Sequence, residues 1–120
     1  MKTRCCGFLA REFSLVAMWC STTCTRTAET DSQARRTWLN SLNTIRELKP
    51  SVVIPGHSNV GAHLDANTAV EFTENYLLAF EEELTKAKDP DSLINAMKER
   101  FPSAELFLAI ERGATANVKP

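Results

Sequence analysis

His57 is the residue of this chain best placed for chemistry. It follows the β-branched run Val52-Val53-Ile54 and the turn-forming pair Pro55-Gly56, and Ser58 comes next. Ligands and metals gather where strands end and loops begin. The glycine lets the backbone turn tightly, so an imidazole there can point back across the strand end. A neutral imidazole in that position is a good zinc ligand. The same spacing also suits a turn histidine that hydrogen-bonds a neighbour. The chain holds 2 histidines, and the other is His63. Its 4 cysteines are Cys5, Cys6, Cys20 and Cys24. The Cys20-x3-Cys24 spacing is tolerable for a zinc hairpin, but the adjacent pair Cys5-Cys6 is not a usual partner for one. Reduced thiols in a leader segment are the simpler account.

The elements around His57 can be read from periodicity. Thr30 and Gln33 fit a capping box that opens a helix. Ala34, Trp38, Leu42, Ile45 and Leu48 then recur at helical spacing, with Leu39 widening the stripe, until Pro50 ends it. The aliphatic run 52–54, with proline on both sides, suits a short strand buried on both faces. Pro55-Gly56 reads as a turn. A long helix spans about Asp65 to Lys88 on Ala66, Ala69, Val70, Thr73, Leu77, Phe80 and Leu84, flanked by Phe72 and Tyr76; Glu81, Glu82 and Glu83 read as its solvated face. Asp89-Pro90 is an N-cap with proline at the first helical position. Leu93, Ile94, Met97 and Phe101 mark the next helix, closed by Pro102. A last short helix runs from a Ser103 cap through Phe107 and Ile110 to Gly113, and a frayed tail completes the chain. Phe13 to Trp19 offers one more short strand. The expected class is α/β, helix-rich, with one or two short strands and residues 29–113 ordered.

Composition sets the limits. The 120 residues are 43% hydrophobic and 24% charged with a net charge of −1, which is ordinary for one globular domain. So small a net charge argues against a general electrostatic grip on nucleic acid. No apolar run approaches the ~18–20 residues of a membrane span. The average hides a seam. Residues 1–28 carry +3 and every cysteine, whereas residues 29–120 carry −4 and none. The first segment is therefore atypical, disordered or out of frame, and the second is the body. Lys2 and Arg4 before apolar residues hint at a secretory signal, but Arg11 and Glu12 interrupt the apolar stretch and no small-x-small site clearly succeeds it. A cytoplasmic location is the expectation.

Trp38-Leu39-x-x-Leu42, then Ile45 to Pro50, then Val52-Val53-Ile54-Pro55-Gly56-His57 resembles the C-terminal part of a metallo-β-lactamase-fold hydrolase. Phe72-Thr73, Tyr76-Leu77 and Phe80 are similar to the segment after that motif in some bacterial members. The resemblance covers about residues 28–120. It implies an αβ/βα sandwich holding one or two metal ions, usually zinc, which turn water into hydroxide near neutral pH. It also implies that His57 matches the last metal ligand. The family's main ligand motif, His-x-His-x-Asp-His, is absent, as are a third histidine and the bridging Asp. Glu29 and Asp31 sit at a helix start, where capping explains them.

The genetic code ties the seam to this resemblance. Residues Ala17 to Thr27, reread from the third base of each codon, are forced to encode Asp, Asn, His or Tyr, then Val-Val, and further on His or Tyr. The family's bridging segment runs much like Gly-Asp-Val-Val-Phe-Asn with a His a few residues later. Residues 1–27 would then be an out-of-frame reading rejoined near Thr27.

Three functions are compatible with this sequence. The first is a remnant of a zinc-dependent hydrolase, inactive alone because one imidazole cannot hold zinc with useful affinity. The second is a small α-rich interaction module, self-associating through an exposed sheet-facing surface of Trp38, Val53 and the long helix. The third is a shared-site enzyme whose missing ligands come from another chain. The frame reading is checked by the coding DNA, in which the shifted frame is expected to carry a Gly-Asp codon pair across Val16 to Met18. Any other pair there ends it.

Overall fold

The computed structural model describes residues 16–21, 31–57, 65–104 and 107–118. In order they form β1 (Val16–Ser21), α1 (Ser32–Glu47), β2 (Val53–His57), α2 (Ala66–Lys86), α3 (Pro90–Arg100) and α4 (Phe107–Asn117). Helices dominate. The two strands pair in parallel as a single two-stranded ribbon, and no second sheet faces it among the described residues. The α/β expectation, a helix-rich piece of an αβ/βα sandwich, is therefore overturned: the fold class is helical. The physical reason is that the apolar stripes of the helices bury against one another. A three-residue aliphatic run is too short to build a layer on which they could pack instead.

Helix α1 opens on Asp31 rather than Thr30. The Asp31 carboxylate accepts from the Ala34 amide at 2.8 Å, satisfying one of the first-turn donors that have no partner inside the helix. Its end is set by Pro50, whose ring disfavours right-handed helical backbone at the residue before it. Lys49, the residue after the Leu48 cap, takes the left-handed conformation common just past helix ends, φ 46°, and the chain turns toward β2. Leu42 and Ile45 are buried, and Trp38 and Leu39 pack against their cluster. The stripe is shorter than its spacing suggests: Ala34 and Leu48 face solvent.

Strand β2 runs through Pro55 and Gly56, which the sequence marks as a turn. Val53 pairs with Val16, Ile54 with Ala17, Pro55 with Met18 and His57 with Ser21, with a register shift between Met18 and Ser21. Proline offers no amide hydrogen to the ladder, and the irregularity falls beside it. Val52 lies outside the strand, forms an isolated antiparallel bridge with Asp65, and is 43% exposed. Strand β1 overlaps the Phe13–Trp19 candidate. The rest of segment 1–28, with Cys5, Cys6 and Cys24, lies outside the described residues.

Asp65 caps α2, its carboxylate accepting from Thr68 at 2.9 Å. Asp89 caps α3 in a reciprocal box with Ser92, and Pro90 sits in the first turn. Helix α4 continues past Gly113 to Asn117, through residues expected to fray. Packing overrides glycine's poor propensity here, because Ala114 and Val118 are buried.

Two apolar clusters share α2. One joins Leu42, Ile45, Val53, Ala69, Val70 and Leu77. The other joins Ala79, Phe80, Leu93, Met97, Ile110, Ala114 and Val118. Beside the second, the rings of Phe72, Tyr76 and Phe101 lie within 6.5 Å of one another, centroid to centroid. Truncating a buried aromatic loses its transfer free energy and leaves a cavity. Phe80→Ala is therefore expected to cost about 3–5 kcal/mol in chemical denaturation, whereas Leu78→Ala, two positions away on the exposed face, changes stability by less than about 0.5 kcal/mol.

Candidate functional site at the end of strand β2

Three features deliver His57 to the strand end. The α1 terminus is bolted to α2 by Arg46. Its guanidinium donates to both carboxylate oxygens of Glu74, one at 3.0 Å, and to Asn43 Oδ1 at 3.3 Å. This two-pronged geometry fits a carboxylate well. The Arg46 hydrogen bond holds the Glu74 carboxyl below its ordinary range, and Glu74 in turn raises Arg46. Next, the Lys49-Pro50 bend turns the chain. Finally Val53, 0% exposed, anchors β2 between α1 and α2. The backbone of His57 then lies at the C-terminal end of a parallel strand pair, opposite Ser21.

Of the residues that the sequence offers as ligands, the structure describes Asp31 and the backbone of His57. His63, Ser58 and Glu29 lie outside the described residues. Asp31 is occupied as the α1 cap. Among the described residues, no group of three or more His, Cys, Asp and Glu side chains is arranged to hold a metal ion. A catalytic zinc site draws on about three protein ligands. The donor set on these residues does not fit such a site.

The most constrained polar group has no sequence motif to announce it. Arg35 is 1% exposed. Its Nε donates to Glu81 Oε1, its Nη1 to Asn117 Oδ1 at 3.1 Å, and its Nη2 to Ser32 Oγ at 3.2 Å. Ser32 Oγ donates onward to Glu81 Oε2 at 3.2 Å. The guanidinium carbon lies 5.1 Å from the centre of the Phe80 ring, a cation–π distance. The one available signal is spacing: Arg35, Trp38, Leu39 and Leu42 share one helical face. Glu81 and Glu83 are likewise not a solvated face. Glu81 meets Arg35. Glu83, together with Glu82, accepts from Arg100 at 2.8 Å, tying α2 to α3. Lys86 and Arg100 together hold the exposed Glu82 carboxyl down to about 2.

No family model, curated protein or solved structure matches the chain. No helix among the described residues is long and apolar enough to cross a membrane.

Tyr76 is the chain's single tyrosine, so phenolate absorbance reports on it alone. Burial pushes its hydroxyl from an ordinary 10.0 up to about 12, because desolvation disfavours the phenolate. A raised folded value means that the neutral form contributes stability fully below pH 10 and loses it as pH rises through about 12. Ultraviolet titration is expected to show phenolate forming near pH 12 in the folded chain and near 10.0 in urea. Coincident curves would place the ring in water.

Proposed function

We propose that residues 29–120 correspond to the C-terminal part of a zinc-dependent metallo-β-lactamase-type hydrolase and are hydrolytically silent on their own. The single observation that supports this reading is the placement of His57. A helix ends at a proline-enforced bend, an aliphatic strand comes after it, and the strand closes on Pro55-Gly56-His57 at the C-terminal end of a parallel pair. That is the position the resemblance gives to the last metal ligand. One imidazole from this stretch offers zinc a single contact, too few to compete with water or to fix an open coordination position. The compartment assigned is the cytoplasm, on the reading of the cysteines as reduced thiols.

A second reading, a small α-rich module that self-associates, draws on different residues from those the sequence suggests. Val53 is buried and Trp38 packs into the α1 cluster, so neither offers the expected open face. Leu48 is 52% exposed and stands close in sequence to the exposed Val52, across the α1–β2 bend.

Zinc titration monitored by imidazole NMR distinguishes the readings. The silent-hydrolase reading expects weak, fast-exchanging shifts at His57 that vanish in His57→Ala, with no turnover of a simple lactone or phosphodiester. Stoichiometric tight zinc or measurable hydrolysis would overturn it. Zinc-independent dimerisation in sedimentation, abolished by Leu48→Lys, supports the module instead.

A further inference from the structure

The two apolar clusters meet along α2, and neither contains a residue of the other. Cluster contacts alone therefore leave the half that carries α1 and β2 free to open separately from the half that carries α3 and α4. Local openings of this kind are general in proteins, and they respect the boundaries of packed units. Arg35 crosses the boundary. It projects from the first turns of α1. It stacks on Phe80 of the second cluster and donates to Asn117, the last residue of α4. Its counter-charge, Glu81, stands on α2 next to Phe80 of the second cluster and also accepts from Ser32. Asn117 closes the knot locally by donating to the Gly113 carbonyl at 2.9 Å.

We propose that the knot of Arg35, Glu81 and Asn117 is a coupling latch, making the docking of α4 and the packing of α1 with β2 open and close as one unit. The physics is directional. Apolar contacts tolerate small slides of one helix on another. A buried guanidinium does not, because each displaced donor would be left without water or partner. With Arg35 in place, undocking α4 takes the Asn117 acceptor from Nη1, so α1 loses that contact at the same moment. Without it, α4 can leave without taking that contact from α1.

Native-state hydrogen exchange, read helix by helix, tests this. In the unaltered chain, the slowest amides of α4 and of the second half of α1 are expected to open with the same free energy. In Arg35→Met, α4 protection is expected to fall about tenfold or more while residues 40–47 change less than about twofold, the signature of separated units. Asn117→Ala removes the α4 end of the latch and leaves the Arg35–Glu81 pair intact. It is expected to release α4 in the same selective way, and the double variant should lose little more than Arg35→Met alone, because both act on one contact. Asn117→Ala also decides the matter should Arg35→Met fail to fold. Equal loss of protection in both halves would make Arg35 a general stabiliser, and unchanged α4 protection would show that the knot holds nothing; either result overturns the latch.

Discussion

A guanidinium removed from water at Arg35 is the constraint on which the arrangement of helices depends. Desolvating a charge is expensive, and it is tolerated only when the fork of donors is met by acceptors in the right places. Those acceptors come from the start of α1, the later turns of α2 and the end of α4. The apolar clusters supply most of the drive to collapse, but that drive has no direction. The guanidinium supplies direction, since a helix shifted by one residue would leave a donor bare. The 32% exposure of the Glu81 side chain lets that carboxylate keep part of its hydration, which softens the cost on the acidic side.

The remaining ion pairs act differently. Arg46 with Glu74, and Arg100 with Glu82 and Glu83, lie nearer solvent. Pairs of that kind contribute little to stability individually. Their role is geometric. One holds the last turns of α1 against α2, and the other ties α3 to α2. The first of these sits just before the bend at Lys49 and Pro50 that leads into β2.

Much of the helical layout is legible from spacing and punctuation. Asp65, Asp89 and Pro90 mark helix starts by satisfying or dispensing with first-turn amides, and Pro50 and Pro102 come just after helix ends because the residue before proline resists helical backbone. The departures share one cause. Pro55-Gly56 favours a turn, Gly113 a stop and Glu81 a wet face, each on a weak local signal. Pairing with β1, burial of Ala114 and the Arg35 charge each outweigh such a signal. The same weakness of local signals explains the fold class: an aliphatic run announces a strand without saying whether enough strands surround it to make a layer.

The order of residues settled on its own where helices can begin and end and which faces are apolar, because capping, proline geometry and periodicity act within a few positions along the chain. It also placed His57 after an aliphatic strand, and tertiary structure kept that order while moving the strand's end onto the histidine. Only three-dimensional packing decided that Arg35 would be buried, that Glu81 and Asn117 would be brought to it from 46 and 82 positions away, and that the helices would cover one another rather than a sheet. Those outcomes turn on desolvation and on the meeting of distant groups, and spacing within a helical turn marks only the face on which Arg35 lies.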